Sequence, residues 1–282
     1  MRKTTPEEQA LTRNSWNRAT RAHNSHKGDQ AAFLRGGGDV LFDDELHLLG
    51  SLGNQKLAHL QCNSGQDTLC LARRGARCTG VDFSSEAIQF ARQLSLDSKI
   101  DAKFVEAELL QWLHSSDADS FDLAFSSYGT VGWLPDLNRW ATGIERILKP
   151  GGRFVLVEFH PLIWSIDDAG SLTRDDYFSR ETFREPVQDY VADSGVALGA
   201  VDAAPPIPNE TPAASWQYGV GEVVSALAGA GLQLKGLHEY PHSNGYKANP
   251  KLVPDGPRRW VWPAGSARVP LMYALDVQKG LR

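Results

Sequence analysis

The chain has 282 residues, of which 41% are hydrophobic, enough to bury one sizeable α/β core with insertions or one domain plus a small cap. A formal net charge of −5 and the absence of a Lys/Arg block argue against a nucleic-acid partner. The three cysteines, Cys62, Cys70 and Cys78, form no C-x-x-C pair, so neither a disulfide framework nor a metal site is predicted. No apolar run approaches about 18 residues and no signal-peptide core follows Arg2 and Lys3, so we expect a cytoplasmic protein without membrane contact.

The N-terminal segment is predicted to be helical and to precede the main domain. Residues 6–23 should form a helix because Thr5-Pro6-Glu7-Glu8 supplies a cap and a first turn, and Trp16 is among its few apolar residues. Gly36-Gly37-Gly38 interrupts the segment, and residues 41–49 are predicted as a second helix that leads into the first strand.

Residues 56–83, KLAHLQCNSGQDTLCLARRGARCTGVDF, predict a strand, a tight loop, a helix and a second strand. The loop contains the turn-prone Asn63-Ser64-Gly65, Gly75 ends the helix, and the second strand closes on Asp82. In such a βαβ unit the first loop brings backbone N–H groups against a ligand, and an acid that ends the second strand can accept both ribose hydroxyls. The stretch therefore predicts a nucleoside site.

This loop resembles that of the class I S-adenosylmethionine-dependent methyltransferases, whose motif reads roughly apolar-apolar-acid-x-Gly-x-Gly-x-Gly. On this chain the acid falls on His59 and the glycines on Gln61, Asn63 and Gly65, as in a bacterial small-molecule subgroup with LQCNSGQDT-type loops. Asn63 can hold a turn at positive φ, and the Gln61 side chain can contact the amino-acid end of the cofactor. A dinucleotide oxidoreductase is a weaker alternative, because its loop places three glycines against a pyrophosphate.

The rest of the chain continues the same alternation of strands and helices. Strands are predicted over residues 103–107, 121–126, 153–159, 232–240 and 269–277, and helices over residues 84–96, from 135 to the LKPGG turn, and 220–230. The resemblance implies an α/β, Rossmann-like, seven-stranded sheet in the order 3-2-1-4-5-7-6, with strand 7 antiparallel and helices on both faces. It also implies a helical lid over residues 1–50 and a methyltransferase domain over residues 51–282.

The resemblance also implies how S-adenosylmethionine would be bound. Asp82 should accept from the ribose and Glu108 from the adenine amino group, with Leu109 against the ring. Ser126 and Ser127 end the fourth strand, where ligands of open α/β sheets bind. The expected cofactor-binding residues are Trp16, Gln61, Asn63, Gly65, Asp82, Phe83, Glu108, Leu109, Ser126 and Ser127.

Residues 161–215 form a long insertion after the fifth strand, and we predict that they cap an acceptor site. The candidate catalytic residues are His160, Tyr177 and Tyr128; His160 is the candidate general base, because an imidazole titrates near neutrality. Residues of the 241–265 loop are predicted to be within reach of the acceptor pocket, namely His242, Tyr246 and either Trp260 or Trp262.

The implied function is methyl transfer from S-adenosylmethionine to a small-molecule acceptor by in-line displacement, performed by a monomer or a homodimer. The sulfonium is already an activated electrophile, so the protein must mainly align the acceptor and exclude water. Two alternatives stay open: a cyclase or lyase that consumes S-adenosylmethionine and releases methylthioadenosine, and a non-catalytic nucleotide-binding module. The sequence favours no particular acceptor atom.

Overall fold

A computed structural model describes residues 4–172, 175–193 and 205–281 of the chain. The α-helices of these residues are α1 (Pro6–Ser25), α2 (Gln30–Arg35), α3 (Asp43–Leu49), α4 (Gln66–Arg73), α5 (Ser85–Ser98), α6 (Leu109–Ser115), α7 (Leu137–Ile147), α8 (Tyr190–Asp193) and α9 (Val220–Gly229). The strands are β1 (Lys56–Leu60), β2 (Arg77–Asp82), β3 (Lys103–Glu106), β4 (Phe121–Ser127), β5 (Leu148–Phe159), β6 (Phe183–Pro186), β7 (Pro212–Ser215), β8 (Leu232–Tyr240), β9 (His242–Asn244), β10 (Val253–Pro254), β11 (Arg259–Val261) and β12 (Met272–Lys279). Short 3-10 helices span Val131–Trp133 and Pro161–Ser165.

The central sheet has seven strands in the order β3-β2-β1-β4-β5-β12-β8. The strands from β3 to β5 pair in parallel, whereas β12 is antiparallel to both β5 and β8. Because β8 and β12 are the sixth and seventh strands of this sheet along the chain, the predicted order 3-2-1-4-5-7-6 is confirmed. The strand order reverses between β1 and β4, which is where a ligand site is expected.

Successive side chains of the central strands point to opposite faces of the sheet, and each face packs in its own hydrophobic cluster. On one face Ala58 and Leu60 belong to a cluster with residues of α6, α7 and α9. On the other face Leu57 and Phe125 belong to a second cluster with residues of α3 and α4. Both faces of the sheet are therefore covered, as a mostly parallel sheet requires.

Several element boundaries differ from the predicted ones. The helix predicted over residues 41–49 begins at Asp43, because Phe42 is extended and its N–H donates to the Glu45 carboxylate at 3.2 Å. Strand β5 begins at Leu148 and so includes the LKPGG turn. The helix α1 begins as predicted: Glu8 N–H donates to Thr5 Oγ1 at 3.1 Å, and Thr5 N–H donates to Glu8 Oε2 at 3.0 Å.

Helix α1 packs against the described part of the 161–215 insertion. The Ala214 N–H donates to Thr12 Oγ1 at 2.9 Å and the Val187 N–H to Ser15 Oγ at 3.0 Å, while His26 Nε2 lies 2.6 Å from Asp189 Oδ2. Strands β6 and β7 of the insertion pair antiparallel beside this helix. The N-terminal helix and the insertion thus form one cap, although they are far apart in sequence.

The 241–265 region, predicted as a loop, contains a small antiparallel sheet in the order β10-β11-β9. Asp44 of α3 anchors this sheet: its Oδ2 atom lies 2.9 Å from His242 Nε2, 2.9 Å from Asn244 Nδ2 and 3.1 Å from Arg259 Nη2. These strands are only two or three residues long, which is too short for a periodic pattern, and the proline-rich composition of the region predicted a loop instead. In the described residues no helix is both long and apolar enough to cross a membrane.

Candidate active site

A cavity of about 230 Å³ lies beyond the carboxyl ends of β1, β2 and β4. Its wall combines Gln61, Cys62 and Asn63 after β1, Asp82 and Phe83 at the end of β2, and residues 127–130 after β4. The cap contributes Trp16 of α1 and Tyr190 of α8. This is the position at which the strand order predicts a ligand site.

The loop after β1 adopts the left-handed conformation at all three positions where the family motif has glycine. The φ angles are 53° at Gln61, 47° at Asn63 and 78° at Gly65, so the positive φ predicted for Asn63 is confirmed. Gln61 Nε2 donates to the Thr130 carbonyl at 2.9 Å, which ties this loop to the segment after β4. The loop therefore keeps a glycine-like backbone path although it contains a single glycine.

Asp82 connects the loop after β1 to the end of β2. Its Oδ2 atom accepts from the Asn63 N–H and its Oδ1 atom from the Ser84 N–H, both at 2.9 Å. Each carboxylate oxygen has more than one acceptor position, so the carboxylate can accept further hydrogen bonds. Burial raises the pKa of Asp82 to about 6, against the opposing effect of the backbone hydrogen bonds.

His59 occupies the position at which the family motif has an acid, and it lines the cavity. Its Nδ1 atom lies 2.7 Å from Thr68 Oγ1, and its ring stacks on Phe125 at a centroid distance of 5.2 Å. Burial lowers the pKa of His59 to about 3, so the imidazole is neutral at pH 7. The sequence pattern predicted no site role for His59.

Glu158 of β5 holds the segment after β4 in place. Its buried carboxylate accepts from the N–H groups of Gly129, Thr130 at 2.7 Å and Val131 at 2.9 Å. Tyr128 in this segment has a φ of 52° and faces the cavity, and its hydroxyl accepts from Asn244 Nδ2 at 3.2 Å. The cavity wall at this point depends on a carboxylate that does not itself line the cavity.

The structure brings seven predicted site residues together around the cavity: Trp16, Gln61, Asn63, Asp82, Phe83, Ser127 and Tyr128. Other predicted residues do not line it. Glu108 is the N-cap of α6, where its carboxylate accepts from the Gln111 N–H at 2.8 Å, and Leu109 is in the hydrophobic core. Gly65 supplies loop geometry, and the Ser126 hydroxyl donates to Thr130 Oγ1 at 3.0 Å.

Two of the candidate catalytic residues also lie outside the cavity lining. The His160 Nδ1 atom accepts from the Leu162 N–H at 3.2 Å, and its Nε2 atom lies 3.2 Å from Glu239 Oε1. The Tyr177 hydroxyl accepts from the Val220 N–H at 3.3 Å. Their proposed roles in catalysis stay predictions, and the structure brings Tyr128 alone of the three to the cavity wall.

Several cavity residues had no signal in the local sequence pattern. They are Lys27, Asp67, Gly245 and Arg258. Most come from segments that only tertiary packing brings to the sheet, so periodicity and loop motifs could not identify them. None of the predicted acceptor residues from 241–265 lines the cavity, although Gly245 and Arg258 of the same region do.

The described ranges contain no group of three or more His, Cys, Asp or Glu side chains that could hold a metal ion. The three cysteines are buried free thiols, and burial raises the pKa of Cys70 and Cys78 to about 12. Thiolate chemistry at neutral pH is therefore disfavoured at these two residues.

Residues 58–156 match a protein family described as "Methyltransferase domain". A ubiquinone biosynthesis O-methyltransferase of Alkalilimnicola ehrlichii is 30% identical over 107 residues, covering 38% of this chain and 42% of that protein. An S-adenosyl-L-methionine-dependent Diels-Alderase of Talaromyces variabilis is 33% identical over 99 residues, or 34% of each protein. A solved SAM-dependent methyltransferase of Methanosarcina mazei shares 19% identity with a TM-score of 0.56, covering 86% of this chain and 99% of that one.

The chain spans between 34% and 61% of the length of the first curated relatives that it matches. The matched region contains the loop after β1, Asp82 and the segment after β4, which are also the main walls of the cavity. The chain is therefore similar to methyltransferases over residues 58–156, and it shares the fold of a solved S-adenosylmethionine-dependent methyltransferase.

Proposed function

We propose that this protein transfers the methyl group of S-adenosylmethionine to a small-molecule acceptor by in-line displacement. The observation that carries the proposal is the loop after β1, which has positive φ at Gln61, Asn63 and Gly65 and is hydrogen-bonded to Asp82. A ubiquinone O-methyltransferase among the curated relatives supports a small-molecule acceptor. The net charge of −5 likewise does not favour nucleic acid.

The residues around the cavity fit an adenosine group. Trp16 Nε1 and Gln61 Oε1 are buried without a hydrogen-bond partner in the described structure, and both residues line the cavity. Buried polar atoms of this kind are normally satisfied, so a donor and an acceptor are left for a ligand. The remaining acceptor positions of the Asp82 carboxylate would accept from ribose hydroxyls.

When bound, the cofactor supplies an electrophilic methyl group on a sulfonium. Asp82 and the loop after β1 would fix its nucleoside, so that the methyl group has one direction of approach. Trp16 packs edge-on against Trp133 at a centroid distance of 5.2 Å and, with Tyr190, would exclude water from the cap side. Tyr128 would offer its ring or hydroxyl to the reacting groups.

Incubation of the purified protein with S-adenosylmethionine and a panel of phenols, quinols, amines and thiols tests the function. Mass spectrometry should detect S-adenosylhomocysteine together with a product heavier by one methyl group in place of hydrogen. Binding of NAD without binding of S-adenosylmethionine or S-adenosylhomocysteine would reject the proposal. The monomeric or dimeric state and the cytoplasmic location stay predictions from the sequence.

A second candidate is a reaction in which S-adenosylmethionine is bound but no methyl group is transferred. Its support is the Diels-Alderase among the relatives. A cyclase or lyase that consumes the cofactor would release methylthioadenosine without any acceptor. A non-consuming enzyme would leave the cofactor intact while a substrate rearranges, and a non-catalytic nucleotide-binding module would change neither. The same mass spectra distinguish these outcomes.

Cofactor affinity is expected to depend on pH through Asp82, whose pKa is raised from an ordinary value of 3.8 to about 6. If the ionised carboxylate accepts the ribose hydroxyls, about one tenth of the protein is competent at pH 5, so the affinity should be about tenfold lower than at pH 7. Calorimetric titrations between pH 5 and 8 measure this change, and Asp82→Asn should flatten it. A wild-type profile as flat as that of Asp82→Asn would contradict this assignment.

The same pKa shift has the opposite effect on stability. The folded protein holds the Asp82 proton more tightly than the unfolded chain does, because the folded-state pKa is the higher one. This contribution to the free energy of unfolding is therefore fully present below about pH 4 and is lost as the pH rises through about 6. Ligand binding and stability thus respond to this carboxyl with opposite signs.

The placement of the three candidate catalytic residues leads to a matched pair of variants, measured with an acceptor found in the screen. Tyr177→Phe should change turnover by less than about threefold, because its hydroxyl is bonded to the Val220 N–H outside the cavity. Tyr128→Phe should lower turnover by about tenfold or more if its hydroxyl takes part in proton transfer. A loss of about 100-fold in Tyr177→Phe, with normal cofactor affinity, would restore Tyr177 as the base.

A further inference from the structure

The hydrogen bond between Asn244 and the Tyr128 hydroxyl has a fixed direction. Asn244 is fully buried; its Oδ1 atom accepts from Arg259 Nε at 3.2 Å, and its Nδ2 atom donates to Asp44 Oδ2 at 2.9 Å. Because a guanidinium can only donate and an ionised carboxylate can only accept, the orientation of the amide is determined. The second Nδ2 proton therefore goes to the Tyr128 oxygen, 3.2 Å away. Gly245, the next residue, lines the cavity, so this end of Tyr128 lies at the cavity wall.

Glu45 is a second polar neighbour of Tyr128, and its surroundings favour the neutral acid. The side chain is 1% exposed, the Phe42 N–H donates to its Oε2 atom at 3.2 Å, and it forms no ion pair among the residues that the structure describes. A carboxylate with so little compensation is costly to bury. Burial and then the charge of Asp67 raise the pKa of Glu45 well above its ordinary range. Contacts with Tyr128 and Phe42, and the charge of Arg258, oppose this rise but are smaller causes.

The protons of this group can then be assigned one by one. In a neutral Glu45, Oε2 is the carbonyl oxygen, because it accepts from the Phe42 N–H, and Oε1 carries the proton. Oε1 is buried and has no hydrogen-bond partner in the described residues, and a small shift toward the Tyr128 oxygen would satisfy it. Asn244 and Glu45 would then occupy both lone pairs of that oxygen. The Tyr128 hydroxyl has only its own proton left to give, and that proton faces the cavity.

Tyr128 also keeps this proton at neutral pH. Burial and then the Glu45 carboxyl raise the pKa of Tyr128 well above its ordinary range. A phenol that does not ionise cannot act as a general base, but it can donate a hydrogen bond. The chemistry available at this point of the cavity wall is therefore donation.

The walls around this donor are aromatic. Tyr128 packs on Phe159 at a ring-centroid distance of 5.6 Å, and Phe159 packs on Tyr246 at 5.4 Å. On the cap side of the cavity, Tyr190 packs edge-on against Tyr246 at 6.2 Å. Rings that are supported in this way present flat apolar surfaces, which suit a planar ring. A planar ring with an oxygen atom would meet both the aromatic surfaces and the donor.

We propose that the Tyr128 hydroxyl donates a hydrogen bond to the oxygen of a phenol-type acceptor, and that Glu45, as a neutral acid, is the positioning residue that directs this proton into the cavity. A hydrogen bond to an ionised oxygen is roughly twice as strong as one to a neutral oxygen, so the phenolate is bound in preference to the phenol. The phenol gives its proton to solvent when it binds. The role of this phenol as methyl acceptor rests on the proposed function.

Infrared difference spectra test the protonation of Glu45 without any ligand. The wild-type spectrum minus that of Glu45→Gln at pH 7 should contain the C=O band of a protonated carboxylic acid. Glu185→Gln removes an exposed acid and is the matched control, so its difference spectrum should contain carboxylate bands alone. Carboxylate bands in place of the acid band at Glu45 would overturn the proposal.

Titration of the S-adenosylhomocysteine complex with 4-nitrophenol tests the donor, because visible absorbance distinguishes bound phenolate from bound phenol. At one pH, the ratio of phenolate to phenol in the site should be about tenfold higher for wild type than for Tyr128→Phe. Both proteins should bind 4-nitrotoluene, which has a methyl group in place of the hydroxyl, within about twofold. Glu45→Gln keeps a donor and an acceptor, so its ratio should stay within about threefold of wild type. Glu45→Leu should lie between wild type and Tyr128→Phe.

The outcomes that contradict the proposal are distinct. A ratio in Glu45→Gln as low as in Tyr128→Phe would mean that Glu45 works as a carboxylate, and a wild-type ratio in Glu45→Leu would overturn its positioning role. An equal loss of 4-nitrotoluene binding in Tyr128→Phe would show that the hydroxyl does not act on the acceptor oxygen. Wild-type protein that binds no 4-nitrophenol overturns the phenol-type acceptor. Protein that binds neither S-adenosylmethionine nor S-adenosylhomocysteine overturns the proposed function instead, and the same titrations of the free protein then decide the role of Tyr128.

Discussion

Replacement of Asp82 by alanine is expected to weaken S-adenosylhomocysteine binding by roughly 30- to 1000-fold, because hydrogen bonds to a charged acceptor worth about 2 to 4 kcal/mol together are lost. The structure adds a second reason. The Asn63 and Ser84 N–H groups, each 2.9 Å from this carboxylate, would lose their acceptor, so the loop after β1 would also lose its anchor. Both effects lower affinity.

The two reasons can be separated experimentally. Asp82→Asn keeps a carbonyl oxygen that can accept one of the two backbone N–H groups, so it should lose less affinity than Asp82→Ala. Asp101→Ala removes an exposed acid and serves as the control for the change in net charge. Isothermal titration of all three with S-adenosylhomocysteine gives the comparison. An affinity of Asp82→Ala within about threefold of wild type, in a folded protein, would show that Asp82 does not hold the ribose.

The central fold was predictable because its signals are local. Each signal depends on neighbours within a few residues: the first strand from Lys56 to Leu60, the turn at Asn63-Ser64-Gly65, and the end of the second strand at Asp82. Hydrophobic periodicity and turn residues report such features directly. The strand order followed from the family resemblance rather than from periodicity, which does not specify pairing partners.

The remainder of the cavity was not predictable from local pattern. Lys27 and Arg258 lie in segments whose composition resembles that of any polar surface, and only packing of the N-terminal segment and of β9–β11 brings them to the cavity. His160 follows β5 as predicted, and its ring accepts a hydrogen bond from the Leu162 N–H at the start of the next 3-10 helix. Proximity along the sheet edge does not fix where a side chain points.

Gly65 combines a left-handed loop conformation with tight packing, and Gly65→Ala is expected to lower the free energy of unfolding by roughly 2 to 4 kcal/mol. About 1 kcal/mol comes from a side chain at a φ of 78°. The rest comes from overpacking, since a Cβ atom there would lie 2.7 Å from Ala91 Cβ and 2.7 Å from the Phe104 ring. Neither neighbour can swing away, because both are buried in the same hydrophobic cluster.

Gly231→Ala provides the matched control for this prediction. Its φ is 90°, but a Cβ atom there would meet no atom within 4 Å. Gly231→Ala should therefore lower the free energy of unfolding only by the backbone strain of about 1 kcal/mol. Urea denaturation of both variants measures the difference, which isolates the steric contribution at Gly65. Equal losses in the two variants would mean that the loop shifts to accommodate the methyl group. In that case Gln61 and Asn63, which occupy the other two glycine positions, would be tolerated because the whole loop can move, and not because each is held in place by its own hydrogen bonds.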